Sequence, residues 1–168
     1  MARVAFILAD MFEDAEFQVP WDRVTGAGHQ VAVVGLQRQA EITGKKGAKT
    51  VTDLAIAEVR PDEFDALVIP GGYSPDKLRV EPAMVDLVRQ HVLDRKPVAA
   101  ICHAGWMLAE ADVLKGRRVT SVRNIRTDLV NAGADWVDEQ VVVDANLITS
   151  RTPDDLPAFC QALLDQLK

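Results

Sequence analysis

Cys102 is the residue of this chain best placed to act as a nucleophile. The four apolar residues Val98-Ala99-Ala100-Ile101 lead into it, and a helical pattern from His103 leaves it. A strand that turns sharply into a helix lifts the side chain at the turn above the sheet, and so tight a turn accepts only small neighbours. Here Ala100 stands two residues before Cys102, Ala104 two after, and Gly105 next. That is the spacing of a nucleophile elbow, with Cys in place of Ser and Ala in place of Gly. The positive end of the helix that follows would favour a thiolate, so the thiol pKa is expected to fall. The thiolate is the nucleophilic form and also the form that oxidises. On pattern alone, a buried and inert cysteine at a strand end fits the same residues.

Other groups could join this chemistry. His103, next in sequence, could assist the thiolate or carry protons, although adjacent side chains often diverge. Gly71-Gly72 follows an apolar strand, where glycines let a ligand approach the backbone and can offer N–H groups to an oxyanion; a simple turn would read the same way. Glu13 and Glu16 follow the first strand. A carboxyl group next to a thiolate is pushed towards its protonated form and can then donate a hydrogen bond, whereas an acid in the first turn of a helix is also just what the helix dipole favours. His29 precedes the second strand, and His91 is expected on a solvated helix face beside Gln90 and Asp94, so neither reads as a catalytic base. Cys160 lies on an apolar helical stripe, as a core residue would. Lys45, Lys46 and Lys49 read as a solvated loop.

The elements that must position these groups come from the apolar periodicity. Val4–Ala9, Val31–Val34, Ala66–Ile69 and Val98–Ile101 are continuous apolar runs of the kind buried on both faces of a parallel sheet. Short strands are expected at Glu41-Ile42, Lys49–Val51, Val119–Ser121, Val141–Val143 and Leu147–Thr149. Helices are expected from Asp14 to the Gly26-Ala27-Gly28 stop, with Pro20 kinking or re-capping it. Further helices are expected from Glu81-Pro82 through Met84, Val85, Val88 and Val92, from His103 to Glu110, and from Arg126 to Asn131. A last one carries Leu156, Phe159, Cys160, Leu163, Leu164 and Leu167. Strands alternating with helices predict an α/β fold with a mostly parallel sheet covered on both faces. The ligand crevice then lies outside the carboxyl ends of the strands, where Glu13, Gly71, Gly72 and Cys102 stand.

The chain has 168 residues, of which 48 % are hydrophobic, and a single domain spanning 1–168 is expected. A net charge of −6 with no basic cluster argues against a nucleic-acid partner. No segment approaches the ~20 apolar residues of a membrane helix, and acidic residues follow the first strand too soon for a signal peptide. The expectation is a cytoplasmic protein without a membrane partner. Two cysteines without metal-pair spacing and three histidines make neither a metal site nor a structural disulfide expected.

Taken in order, several segments resemble the PfpI family of intracellular cysteine peptidase-like proteins, within the superfamily of the Parkinson-disease protein deglycase. They are Phe12-Glu13-Asp14-Ala15-Glu16 with Pro20, Phe64 to Gly72, Ala100-Ile101-Cys102-His103, Leu114-Lys115-Gly116-Arg117, Asn131 to Asp138, Val141 to Asp144, and Thr149-Ser150-Arg151. The resemblance runs nearly end to end. It implies a flavodoxin-like three-layer α/β/α sandwich with a nucleophile elbow, Cys102 as nucleophile, Glu16 as the carboxyl group bonded to the thiol, and backbone donors at Gly72 and His103. It implies no cofactor. It further implies a homodimer or larger assembly with the site at the interface, where the acid of a Cys-His-acid triad comes from a neighbour. The matching position is Asp76, where the best-known members carry Glu. After the histidine, Ala104-Gly105-Trp106 replaces the Gly-Pro of many members, so Trp106 is expected either to line the pocket or to pack in the helix core.

The function implied is a cysteine-dependent hydrolase or lyase in stress response. Its substrates would be small reactive carbonyls, through methylglyoxal detoxification or protein deglycation, or else peptides. The alternative is a redox-sensing stress protein or chaperone whose Cys102 is oxidised with little turnover.

Overall fold

The computed structural model describes residues 1–168. In chain order the elements are β1 (Arg3–Ile7), α1 (Asp14–Gly26), β2 (Gln30–Gly35), β3 (Glu41–Thr43), β4 (Lys49–Val51), β5 (Leu54–Ala55), β6 (Ala66–Ile69), α2 (Ser74–Leu78), α3 (Pro82–Leu93) and β7 (Val98–Ile101). They continue with α4 (Gly105–Glu110), β8 (Arg118–Val119), α5 (Arg126–Asn131), β9 (Asp135–Trp136), β10 (Val142–Asp144), β11 (Leu147–Ser150) and α6 (Leu156–Gln166).

Seven strands form the central sheet in the order β10-β11-β7-β6-β1-β2-β5. All neighbours are parallel except β10, which closes one edge antiparallel to β11. The alternation of side chains along a strand divides the core in two. Ala5, Ile7, Leu67, Ile69, Val98 and Ala100 face the layer of α3, α4 and α5. Val4, Phe6, Ala66, Val68, Ala99 and Ile101 face α1 and α6. The apolar runs are therefore continuous because both faces are covered, and the result is a flavodoxin-like sandwich. No helix is long and apolar enough to cross a membrane.

From β1 the chain crosses to β2 on one side and then returns past β1 to β6 on the other. The connections leaving β1 and β6 diverge, opening a crevice at the carboxyl ends of these two strands. Helix α1 runs without a break through Pro20. The proline removes the donor that would have bonded the Glu16 carbonyl but does not end the helix. Residues Cys102–Ala104 form a tight 3-10 turn before α4 begins at Gly105, so the expected helix from His103 starts two residues late.

Candidate active site

Three strand ends meet at the crevice: β1 leads to Glu13 and Glu16, β6 to Gly71 and Gly72, and β7 to Cys102. Cys102 has φ of 63°, in the left-handed region that side chains other than glycine rarely enter. This is the strained turn the sequence predicted, and it lifts the half-buried Cys102 away from the strand direction.

Glu16 belongs to the buried stripe of α1, with Phe17, Pro20 and Val24. Phe17 packs edge-on against Phe6 of β1 at 5.8 Å and against Phe12 at 5.4 Å. These contacts fix α1 on the sheet and hold Glu16, which is fully buried, under the thiol. One carboxyl oxygen, Oε1, accepts the Gly71 N–H at 2.8 Å. The other, Oε2, is buried with no partner of good geometry, although the Cys102 thiol is close enough to interact with Glu16. That contact is long or bent at rest, as catalytic hydrogen bonds often are without substrate. Burial pushes the Glu16 carboxyl up to about 8, opposed by the Gly71 N–H and reinforced by the charge of Glu13, so it holds a proton at neutral pH.

The expected fall in the Cys102 pKa does not occur. Burial, and then the nearby Glu16 carboxylate, push the thiol up to about 12, against the opposing influence of the His103 backbone N–H. Desolvation outweighs the short helix behind the turn. The two groups titrate as a pair, and a thiolate beside a protonated Glu16 carries the same charge as a thiol beside a carboxylate. His103 lies with Nδ1 3.5 Å from the Cys102 sulfur. Burial, and then the charge of Lys45, lower its pKa and favour the neutral ring.

Gly71 and Gly72 are both required by close approach. A Cβ at Gly71 would sit 2.6 Å from Glu16 Oε1 and 2.9 Å from Cys102 Cβ. Gly72 has φ of +78°, and a Cβ there would meet the Met11 carbonyl and the Glu13 N–H at 2.5 Å. Gly72 faces Phe12 in an isolated antiparallel bridge. The bonds of that bridge come from the flanking residues, Glu13 N–H to Gly71 carbonyl at 3.1 Å and Tyr73 N–H to Met11 carbonyl at 2.8 Å. The Gly72 N–H is left out of the ladder and can serve an incoming oxygen.

Of the remaining expected residues, Trp106 is half-buried on α4. Its ring stands edge-on to His103 at 5.2 Å and its indole N–H donates to Asp128 at 2.9 Å. It borders the histidine and also packs against the core. Asp76 lies exposed on α2, a short helix that the sequence did not reveal, and bonds nothing within its own chain; one copy does not bring it to His103.

Two further expectations are corrected. His91 is fully buried rather than solvated, with its ring nitrogens 3.0 Å from the Leu87 carbonyl and 3.3 Å from the Phe64 carbonyl. Lys45 and Lys46 do lie on the β3–β4 turn, and Lys46 is exposed, but both are paired with a buried acid rather than simply solvated. Their ammonium groups lie 3.2 Å and 2.9 Å from the two carboxyl oxygens of Glu13. Burial alone would raise Glu13, but the Lys46 and Lys45 contacts prevail and hold it below the ordinary carboxylate value. The largest cavity, about 770 Å³ between Arg95, Lys115 and Asp144, lies at the amino ends of the strands, away from Cys102.

The sequence profile of the DJ-1/PfpI family matches residues 2–166. The chain belongs to the DJ-1/PfpI family. It is 50 % identical over 159 residues to protein/nucleic acid deglycase 2 of Escherichia coli, covering 94 % of this chain and 92 % of that one. It is 43 % identical to deglycase PfpI of Pyrococcus furiosus over 166 residues, 99 % of each chain. Among solved structures, a two-domain protein of Anabaena variabilis with DJ-1/ThiJ/PfpI-like and ferritin-like domains superposes with a TM-score of 0.98 at 42 % identity. That match covers 99 % of this chain, which spans about half the length of the Anabaena protein (48 %).

Proposed function

We propose that this DJ-1/PfpI protein is a cysteine-dependent enzyme that acts on reactive carbonyl compounds, removing methylglyoxal or its early adducts on proteins. The observation that carries this reading is the convergence on Cys102 of a buried protonated carboxyl group, Glu16, and an unengaged N–H, Gly72. The sulfur adds to a carbonyl carbon. The electron pair of the C=O bond moves to oxygen, and the Gly72 N–H holds the resulting oxyanion. The nearby His103 backbone N–H favours the thiolate. Glu16 stabilises that thiolate by donating its proton into a hydrogen bond. The relatives named as deglycases support this choice of substrate over peptides.

A second copy of the chain completes the site in this reading. Asp76 is exposed without a partner, and the nearby Met11, Tyr73 and Val80 leave apolar surface uncovered. A homodimer that buries them would bring Asp76 to His103 and complete a Cys-His-acid triad.

Methylglyoxal consumption by the purified protein and by Cys102→Ala tests the reading. The wild type should consume it and the variant should not. Equal rates in both would overturn it. Light scattering at micromolar concentration tests the dimer, and a strict monomer would remove Asp76 from the site.

A further inference from the structure

Lys45 is carried on the tip between β3 and β4, and that tip is tied down beside the site. The Asp14 carboxylate accepts the N–H groups of Lys46 at 3.1 Å and Ala48 at 2.9 Å. The Lys45 N–H donates to the carbonyl of Phe12 at 2.9 Å, and Phe12 is the residue bridged to Gly72. The side chain then lies over Tyr73, with the ammonium 5.6 Å from the ring centre and 3.2 Å from Glu13 Oε2. It remains 34 % exposed. Its charge reaches both His103 and Glu16.

The charges around the thiol leave this ammonium available. Glu16 and His103 are neutral at pH 7, so Glu13 is the carboxylate in contact with Lys45, and it holds two ammonium groups at once. If Lys45 turns to another anion, Glu13 keeps Lys46 at 2.9 Å and is not left buried and unpaired.

We infer that Lys45 selects the substrate: its ammonium receives an anionic group carried next to the reactive carbonyl, so the site takes carboxylate-bearing carbonyl compounds in preference to neutral dicarbonyls. This deepens the reading of Cys102 as the nucleophile and rests on it. The covalent step is simple addition. The thiol S–H adds across C=O, sulfur to carbon and hydrogen to oxygen, and nothing leaves.

The test compares iodoacetate with iodoacetamide as alkylating agents for Cys102, followed by peptide mass analysis. Both need the same thiolate, so the ratio of their rate constants cancels thiol acidity and reports the field met by an incoming anion. Lys45→Met should lower the iodoacetate-to-iodoacetamide ratio about fivefold. Lys45→Arg, and Lys49→Met on the same hairpin, should keep it within about twofold. Glyoxylate should protect Cys102 from iodoacetamide in the wild type and less well in Lys45→Met. An unchanged ratio in Lys45→Met, an equal fall in Lys49→Met, or parallel loss of both rates at constant ratio would each overturn the inference, as would failure of glyoxylate to protect. A protein that keeps the Lys45-dependent ratio yet consumes no methylglyoxal would sink the proposed activity and leave the anion selectivity standing.

Discussion

Glu16 and Cys102 both crowd the same side of Gly71, so close that a single methyl group at that glycine would strike both. The carboxyl group has one oxygen on the Gly71 N–H and the other turned into a buried space without a partner of good geometry. A carboxyl group held in this way is stable while it keeps its proton, and the fold is arranged so that the proton has one useful destination, the thiolate.

The first consequence is a pH dependence of stability. In the unfolded chain Glu16 loses its proton near 4.5, but in the folded chain near 8. Between these values the folded state binds more protons, so stability falls as pH rises. Over the roughly 2.5 pH units from 4.5 to 7, at about 1.36 kcal/mol each, the loss is about 3 kcal/mol. Glu16→Gln removes this term. Urea midpoints at pH 5, 6, 7 and 8 should show the wild type losing stability relative to the variant as pH increases. His91 and His103, both shifted down, change stability in the opposite sense below about 6.5, but they do so equally in both proteins. Parallel curves would show that Glu16 ionises normally.

Gly71→Ala should damage both stability and reactivity. The added methyl group meets Glu16 Oε1, Cys102 Cβ and the Ile101 carbonyl, all within 3.0 Å. Overpacking of this kind costs about 1–3 kcal/mol. Because two of the displaced groups carry the chemistry, Cys102 alkylation should slow even in protein that remains folded. A variant of normal stability and normal alkylation rate would mean that the carboxyl group and the thiol are not held by this glycine.

Much of this site was legible in the sequence because strand ends announce themselves. An apolar run followed at once by Gly-Gly or Cys-His has to finish at the carboxyl edge of a buried strand. The residues alone left Glu13 and Glu16 open, and the choice of Glu16 rested on the family resemblance; in the structure Glu16 shares the buried face of α1 with Phe17, Pro20 and Val24. Helical phase could have placed His91, which follows Leu87 by four and Val88 by three and so belongs to their buried face; its polar neighbours Gln90 and Asp94 suggested otherwise. Lys45 was not legible. Its position depends on Asp14 clamping a hairpin tip from more than thirty residues away, and Asp14 reads locally as an ordinary first-turn acid. Helix α2, five residues starting at Ser74-Pro75, is too short to show a period.

The elbow strain makes a separate prediction. Cys102 occupies φ of 63°, a conformation that costs about 1–2 kcal/mol for a residue with a Cβ and little for glycine. Cys102→Ala keeps the strain, and Cys102→Gly releases it. Both variants should lose methylglyoxal consumption, and Cys102→Gly should be the more stable by about 1 kcal/mol in chemical denaturation. If alanine is the more stable, the backbone at this turn is not strained, and the thiol is not presented at the expense of stability.

Oxidation should discriminate between the two cysteines. Cys160 is 1 % exposed in the core between α6 and the sheet, and burial pushes its thiol up to about 11. Cys102 is raised further, to about 12, so thiol acidity alone would make Cys160 the easier to oxidise. Access and partners point the other way. Cys102 is partly exposed at the crevice, has the His103 backbone N–H nearby to favour its thiolate, and has in Glu16 a proton donor that can bond a newly added sulfinate oxygen. Mild peroxide followed by peptide mass analysis should therefore add oxygen to Cys102 and leave Cys160 unchanged, and Glu16→Ala should slow the gain at Cys102. Equal oxidation of both thiols, or a rate at Cys102 indifferent to Glu16, would show that the carboxyl group does not act on the sulfur.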